Sequence, residues 1–312
     1  MNDIRRSKTG GDEPTTGPHT QLNSPDSRIG LVGSLEPGLC EELADLAQRC
    51  IAGYSDDRPV SASLVRSRLA NALTGAPPVL AVARHGREVT GWCAVRRPEP
   101  GEARARLWGP VVAPSARRVG LGRRLLRRVV DAVEWPLVTT DVPVDRAGAG
   151  DFFSGSGWEV LDTITVLHGS PAASVGVLDA ITAADVTDLE AYVATAARRF
   201  AGVEASFAES TLPRWRDDAR FRPETLLLDP PTGSLLLALA QRNDTASELL
   251  LAEVWAAEAD VRRRLIAQAH AVAAGRKVAI VRAVTRQGPA DFVACGMRVT
   301  GRCHTFALPG GR

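Results

Sequence analysis

The chain has 312 residues, 45% of them hydrophobic and 24% charged, and a net charge of +2. That is material for two ordinary domains at ~150 residues each, and so small a net charge gives no argument for a nucleic-acid-binding protein. No run of 18 apolar residues occurs, so no membrane partner is expected, and the first residues lack the apolar stretch of a secretion signal, which makes the expected location cytoplasmic.

In chain order, residues 1–28 are polar and rich in Gly, Pro, Ser and Thr. They bury too little to offset ordering entropy and are expected to form a disordered tail. A short strand, "RIGLV", is followed by a helix at "PGLCEELADLAQRCIAG", with Leu39, Leu43, Leu46, Cys50 and Ile51 on one face. A second helix, "SASLVRSRLANAL", ends before Gly75. "PPVLAVARHG", "EVTGWCAVRR" and "ARARLWGPVV" read as antiparallel strands, "LGRRLLRRVV" as a helix, "PLVTTDV" as a strand, "AGAGDFFSGSG" as a short helix and "WEVLDTITVL" as a last strand. The order is β-α-α-β-β-β-α-β-α-β.

The rest of the chain repeats part of this pattern. "ADFVACGMRV" resembles "GDFFSGSGWEV", and "RRRLIAQAHAVAAGRKVAIV" resembles "RRLLRRVVDAVEWPLVTT". Gly157 against Gly296 and Leu125 against Leu265 set the two copies 139 and 140 residues apart, a tandem repeat of one unit. The units are expected at 29–170 and 175–312, the second built on "TLLLDP", "SLLLALAQR", "ELLLAEVWA" and "KVAIVRAV".

Cys40, Cys50, Cys93, Cys295 and Cys303 are scattered and never spaced as C-x-x-C, and no histidine pair has ligand spacing. Buried thiols and no metal are expected. Every basic residue but Lys8 and Lys277 is arginine, a compositional bias that lowers the weight of any arginine cluster.

The segment with chemical content is "RRVGLGRR", between a strand ending at Val112 and a helix beginning near Leu121. Helix N-terminal amides lack intrahelical partners and carry positive potential, so they attract anions. Gly120 and Gly122 have no Cβ to keep a pyrophosphate away from those amides. Leu125, Leu126, Val129, Val130 and Val133 would then pack inward while Arg123, Arg124, Arg127 and Arg128 face solvent or ligand.

Two motifs resemble the GCN5-related N-acetyltransferase (GNAT) superfamily. Its pyrophosphate signature, Arg/Gln-x-x-Gly-x-Gly/Ala, is met by Arg117-Arg118-Val119-Gly120-Leu121-Gly122, and its late aromatic element by Phe152-Phe153-Ser154-Gly155-Ser156-Gly157-Trp158. The resemblance implies an α/β (α+β) fold of two tandem GNAT-like domains, each a mixed, mostly antiparallel sheet flanked by helices. It implies acetyl-CoA or another acyl-CoA as co-substrate. Its pyrophosphate would lie on Arg117, Arg118, Val119, Gly120, Leu121, Gly122 and Arg123, and its pantetheine along Val111, Val112 and Ala113. The reaction implied is direct attack of an amine of a small molecule on the thioester, with Tyr54, Asp56 and Asp57 where the family binds the acceptor.

Where many relatives place a tyrosine as general acid this chain has Phe153, and the strand from Arg106 to Val112 has no glutamate base. Asp141, at the end of "PLVTTD", and Tyr54 are the candidate catalytic groups, with Glu102 a weaker one. In the second copy Arg117 corresponds to Ala257, Gly120 to Asp260 and Gly122 to Arg262, so that unit is read as a degenerate copy whose helix keeps its place and loses its anion site. Two other readings stand beside an N-acetyltransferase: a GNAT-like transferase using an aminoacyl-tRNA donor, and a non-catalytic acyl-CoA-binding module. The assembly is left open between monomer and homodimer.

Overall fold

The computed structural model describes residues 27–36, 38–51, 60–74, 78–98, 104–172, 181–182, 188–202, 204–216, 221, 226–229, 233–242, 247–286 and 288–309. Tyr54, Asp56, Asp57, Glu102 and the polar stretch before residue 27 lie outside them.

The first half contains β1 (Arg28–Leu31), α1 (Leu39–Ile51), α2 (Ala62–Leu73), β2 (Leu80–His85), β3 (Glu88–Arg96), β4 (Ala105–Val112), α3 (Leu121–Val130), β5 (Leu137–Pro143), α4 (Ala149–Ser154) and β6 (Glu159–Gly169). This is the order the sequence pattern predicts. Leu39, Leu43 and Leu46 are buried on α1 as their spacing requires, and Ser61 caps α2 by accepting from the Leu64 amide. The second half repeats the order with β7 (Ile181–Thr182), α5 (Leu189–Ala201), α6 (Ala205–Arg216), β8 (Leu226–Asp229), β9 (Ser234–Arg242), β10 (Ser247–Trp255), α7 (Ala259–Gly275), β11 (Ile280–Thr285), α8 (Ala290–Ala294) and β12 (Arg298–Pro309). Asp188 caps α5, whose inner face is Val193, Ala196 and Ala197.

Among the described residues twelve strands form one sheet in the order β1-β2-β3-β4-β5-β12-β6-β11-β10-β9-β8-β7. The sheet does not divide where the sequence repeat does. β12, the end of the second copy, lies between β5 and β6, and β6, the end of the first, lies between β12 and β11. The two copies have exchanged their last strands. The register makes the exchange two-fold symmetric: Ile164 pairs with Cys303, and on either side Asp162 pairs with Thr305 and Val166 with Gly301. Each pair returns the other when 139 is added to one member and subtracted from the other, the same separation as Gly157 and Gly296.

The exchange also carries packing energy across the halves. Phe306 of β12 is buried in the core of the first half and stacks on Phe153 of α4 with ring centroids 5.5 Å apart. Only two parallel pairs join β4 to β5, Ala105 to Val138 and Arg106 to Thr139, so the strands splay beyond Arg106. In the second half β10 and β11 stay paired through four positions, from Glu248–Ile280 to Leu251–Ala283.

Candidate acyl-donor and acceptor site

At the mouth of the first splay, β4 gives way to a turn at Pro114–Ala116 and an exposed loop to α3. Arg118 has φ 65° and Gly120, the N-cap of α3, φ 81°. A left-handed backbone costs a residue with a Cβ roughly 1–2 kcal/mol, so Arg118 is held in a strained turn, while Gly120 adopts it freely. Among the described residues no side chain caps α3, in contrast to α2 and α5. Its first backbone bond runs from the Arg124 amide to Gly120 O, which leaves the amides of Leu121, Gly122 and Arg123 without a helical carbonyl. Behind them Leu121, Leu125, Leu126 and Val129 are buried, and Arg123, Arg124, Arg127 and Arg128 are exposed. The two glycines do different jobs. A Cβ on Gly120 would stand in open space, whereas one on Gly122 would come 3.3 Å from the Phe152 ring and crowd the approach of α3 to α4.

The strand residues expected along a pantetheine separate by direction. The Ala113 amide donates to Thr90 O on β3 at 2.9 Å, and Val111 pairs with Trp92 of the same strand. Backbone groups alternate along a strand, so those of Val112 turn away from β3. The Val112 carbonyl accepts from Arg117 Nε at 3.1 Å and from Cys50 Sγ at 3.3 Å. Val112 therefore aims its N–H into the splay, and Arg117 is folded back against the strand end while Arg118, Val119 and Gly120 line the exposed loop.

Asp141 stands on β5 beyond the last β4–β5 pair. Its Oδ1 accepts from Thr305 Oγ1 at 2.7 Å, and its Oδ2 lies 3.5 Å from Arg106 Nη1. The side chains of Asp141 and Arg106 are each 33% exposed, and Thr305 is fully buried. The place of Thr305 beside Asp141 depends on the strand exchange, of which the sequence carries one sign, the likeness between the ends of the two copies. Phe153 is buried between Phe306 and Trp158, so no side-chain proton donor stands at that position.

The corresponding region of the second half is built differently. Residues 256–258 alone connect β10 to α7, whereas residues 113–120 connect β4 to α3. Val261, Leu265, Ile266 and Ala269 are buried on α7, as Leu121, Leu125, Leu126 and Val129 are on α3. That common spacing sets Asp260 at the position of Gly120 and Arg262 at that of Gly122. Arg262 Nη1 meets Asp291 Oδ2 of α8 at 2.6 Å and Arg263 Nε meets Oδ1 at 3.0 Å, tying the start of α7 to α8. Burial pushes Asp291 up, but hydrogen bonds and charge from Arg262 and then Arg263 outweigh it and hold the carboxyl below its ordinary value.

Residues 41–157 match the family model described as Acetyltransferase (GNAT) family. The chain is similar in fold to a GCN5-related N-acetyltransferase from Sphaerobacter thermophilus, at 18% identity over 91% of this chain and 96% of that one with a TM-score of 0.70. It is also similar to a tandem GNAT protein from the clavulanic acid biosynthesis pathway, at 16% identity over 92% and 99% of the two chains and TM-score 0.62. A GCN5-related glucosamine N-acetyltransferase region of a fungal multi-domain β-N-acetylglucosaminidase gives 14% identity over 90% of this chain and 38% of that one, TM-score 0.67. No curated protein sequence matches the chain. Among the described residues no helix is long and apolar enough to cross a membrane, and no group of three or more His, Cys, Asp or Glu is placed to hold a metal ion.

Proposed function

We propose that the protein, whose residues 41–157 match the model of the GNAT acetyltransferase family, is an N-acyltransferase that moves an acyl group, acetyl in the first instance, from acyl-CoA to an amine of a small molecule. The observation that carries this reading is the uncapped start of α3. The amides of Leu121, Gly122 and Arg123 follow a strained, exposed loop, and among the described residues no side chain caps this helix end, which attracts an anion. The chemistry of the residues fits a pyrophosphate there, with Arg118 and Arg123 nearby in sequence. The Val112 N–H, aimed into the splay between β4 and β5, is suited to polarise a thioester carbonyl.

Acyl-CoA supplies an activated carbonyl with a thiol as leaving group. The protein's part is to hold the acyl group at Val112 and to receive the acceptor beside Asp141, the candidate base. The loop bearing Tyr54, Asp56 and Asp57 contributes to the acceptor site in this reading. The second half is a copy that holds no nucleotide, because Asp291 already occupies the arginines at the start of α7. The test is release of free thiol from acetyl-CoA in the presence of a panel of small amines. Amine-dependent release supports the reading, and its absence across the panel overturns it.

Phe153 favours a second reading, a module that binds acyl-CoA without turnover, since it cannot protonate a leaving thiolate. The same assay separates the two. A third, transfer from an aminoacyl-tRNA, is motivated by the exposed Arg123, Arg124, Arg127 and Arg128. It predicts a gel shift with bulk tRNA at low salt, where phosphate contacts are strongest.

A further inference from the structure

We infer that Thr305, supplied by the last strand of the second copy, is a positioning residue for acyl transfer in the first: its hydroxyl orients Asp141 to take the proton that a cationic acceptor amine must lose. This rests on the transferase reading above and on Asp141 as its base.

Thr305 and Asp141 are direct partners across the β5–β12 ladder. The hydroxyl donates to Oδ1 at 2.7 Å from a fully buried position, while the Asp141 side chain is a third exposed. One carboxylate oxygen is therefore anchored by a buried hydroxyl, on a side chain that keeps a third of its surface exposed. Arg106 stands at the edge of contact with the other oxygen, 3.5 Å away. A hydrogen bond of this kind removes rotation about the terminal bond of the aspartate, which is otherwise a broad torsion, and fixes where the accepting lone pair points.

The sheet itself does not need this pair. The two-fold relation that exchanges β6 and β12 carries Thr305 onto Val166, 139 residues earlier. The ladder partner of Val166 on β11 is Val284, as the partner of Thr305 on β5 is Asp141. The twin seat thus holds two valines, packed in the small apolar cluster with Ile164 and Cys303. Leucine takes the twin place of the arginine as well: Arg106 precedes the splay on β4, on the face opposite the one Ala105 and Leu107 bury, and Leu250 stands between buried Leu249 and Leu251 on β10. Arg282, the buried ladder partner of Leu250, stands where Thr139 partners Arg106, but the Asp141–Thr305 pair itself is matched by two valines, so the architecture accepts an apolar version of that pair and the polar version in the first half calls for a functional reason.

The acceptor arrives as R–NH3+ and gives one proton to the Asp141 carboxylate, freeing the nitrogen lone pair. Nitrogen then forms a bond to the acyl carbon, the carbon–sulfur bond breaks with its electron pair on sulfur, and the second nitrogen proton leaves through water to protonate the thiolate. The products are the amide, CoA thiol and one proton returned from Asp141 to solvent.

The experiment compares the full chain with Thr305→Val, Thr305→Ser and the twin transplant D141V/T305V, measuring kcat and KM for the best acceptor together with the Kd for acetyl-CoA. Thr305→Val keeps the shape and loses the donor. It should lower kcat by roughly tenfold to a hundredfold, the scale of a misplaced catalytic group, with acetyl-CoA affinity unchanged. Thr305→Ser keeps the donor and should restore most of the loss. The transplant should fold, bind acetyl-CoA like the parent and lose turnover by about a hundredfold or more, the usual contribution of a general base. Unchanged kcat in Thr305→Val, failure of serine to restore it, or an equal fall in acetyl-CoA affinity would each overturn the inference while leaving the transferase reading in place. A parent chain that releases no thiol with any amine would overturn both.

Discussion

Phe306, on the last strand β12, stacks on Phe153 of α4 across a ring-centroid distance of 5.5 Å and closes the core of the half to which it does not belong in sequence. β12 also satisfies the inner edge of β5 from Leu137 to Pro143. Ending the chain near residue 170 would remove both, and would leave β6 without either neighbour. The N-terminal half on its own is therefore expected to be insoluble or unfolded. In the intact chain Phe306→Ala should cost about 3–5 kcal/mol in chemical denaturation, the range for a large aromatic removed from a core. A loss under about 1 kcal/mol would mean that the exchanged strand is peripheral to that core.

The arginine pair on Asp291 makes a pH prediction with a definite sign. Asp291 is held below its ordinary value in the folded protein, so the unfolded chain binds its proton more tightly. The pair's contribution is then fully present above about pH 4 and is lost as pH falls through the lowered folded value. Asp291→Asn should destabilise the protein by about 2 kcal/mol at pH 7, the scale of a charged hydrogen bond in a partly buried setting, and the gap between parent and variant should close toward pH 3. A gap independent of pH would assign the effect to packing.

Thiol chemistry offers a separate check on burial. Cys93 is fully buried on β3 and burial drives its thiol far above the ordinary range, while Cys40 on α1 is raised for the same reason with weaker influences from Arg66 and Glu41. Native protein treated with iodoacetamide at pH 8 should leave both unmodified in peptide mass spectra and react first at the half-buried Cys50. Early alkylation of Cys93 would contradict the packing of β3 against its neighbours.

Much of this was legible in the residues. The order of elements in the first half, the inward faces of α1 and α3, and the 139–140-residue repeat follow from apolar spacing and from the shared Asp-Phe and Gly-x-x-Val of the two copies. The glycine loop was legible too, because a strand end, two glycines and an amphipathic helix are local features. What the residues did not reveal was the partner of each last strand. Val160 and Val299 would pair equally well with either copy, since β6 and β12 carry the same pattern, and strand register over more than a hundred residues is decided by which core buries Phe306. For the same reason Asp141 was visible as a strand-end carboxylate while Thr305 beneath it was not. The second role of Gly122, making room for Phe152, likewise depends on a contact that only the packed α3–α4 pair creates.

In the proposed function one half of a two-fold structure holds the acyl donor and the other has closed its equivalent place. Calorimetric titration with acetyl-CoA, of the intact chain and of Gly120→Asp, separates this division of labour from two working sites. A carboxylate within ~4 Å of a phosphate costs about 4 kcal/mol at an effective dielectric of ~20, or roughly a thousandfold in affinity. One equivalent bound per chain, abolished in Gly120→Asp, is the result expected. Two equivalent sites, or a single site indifferent to Gly120→Asp, would contradict it.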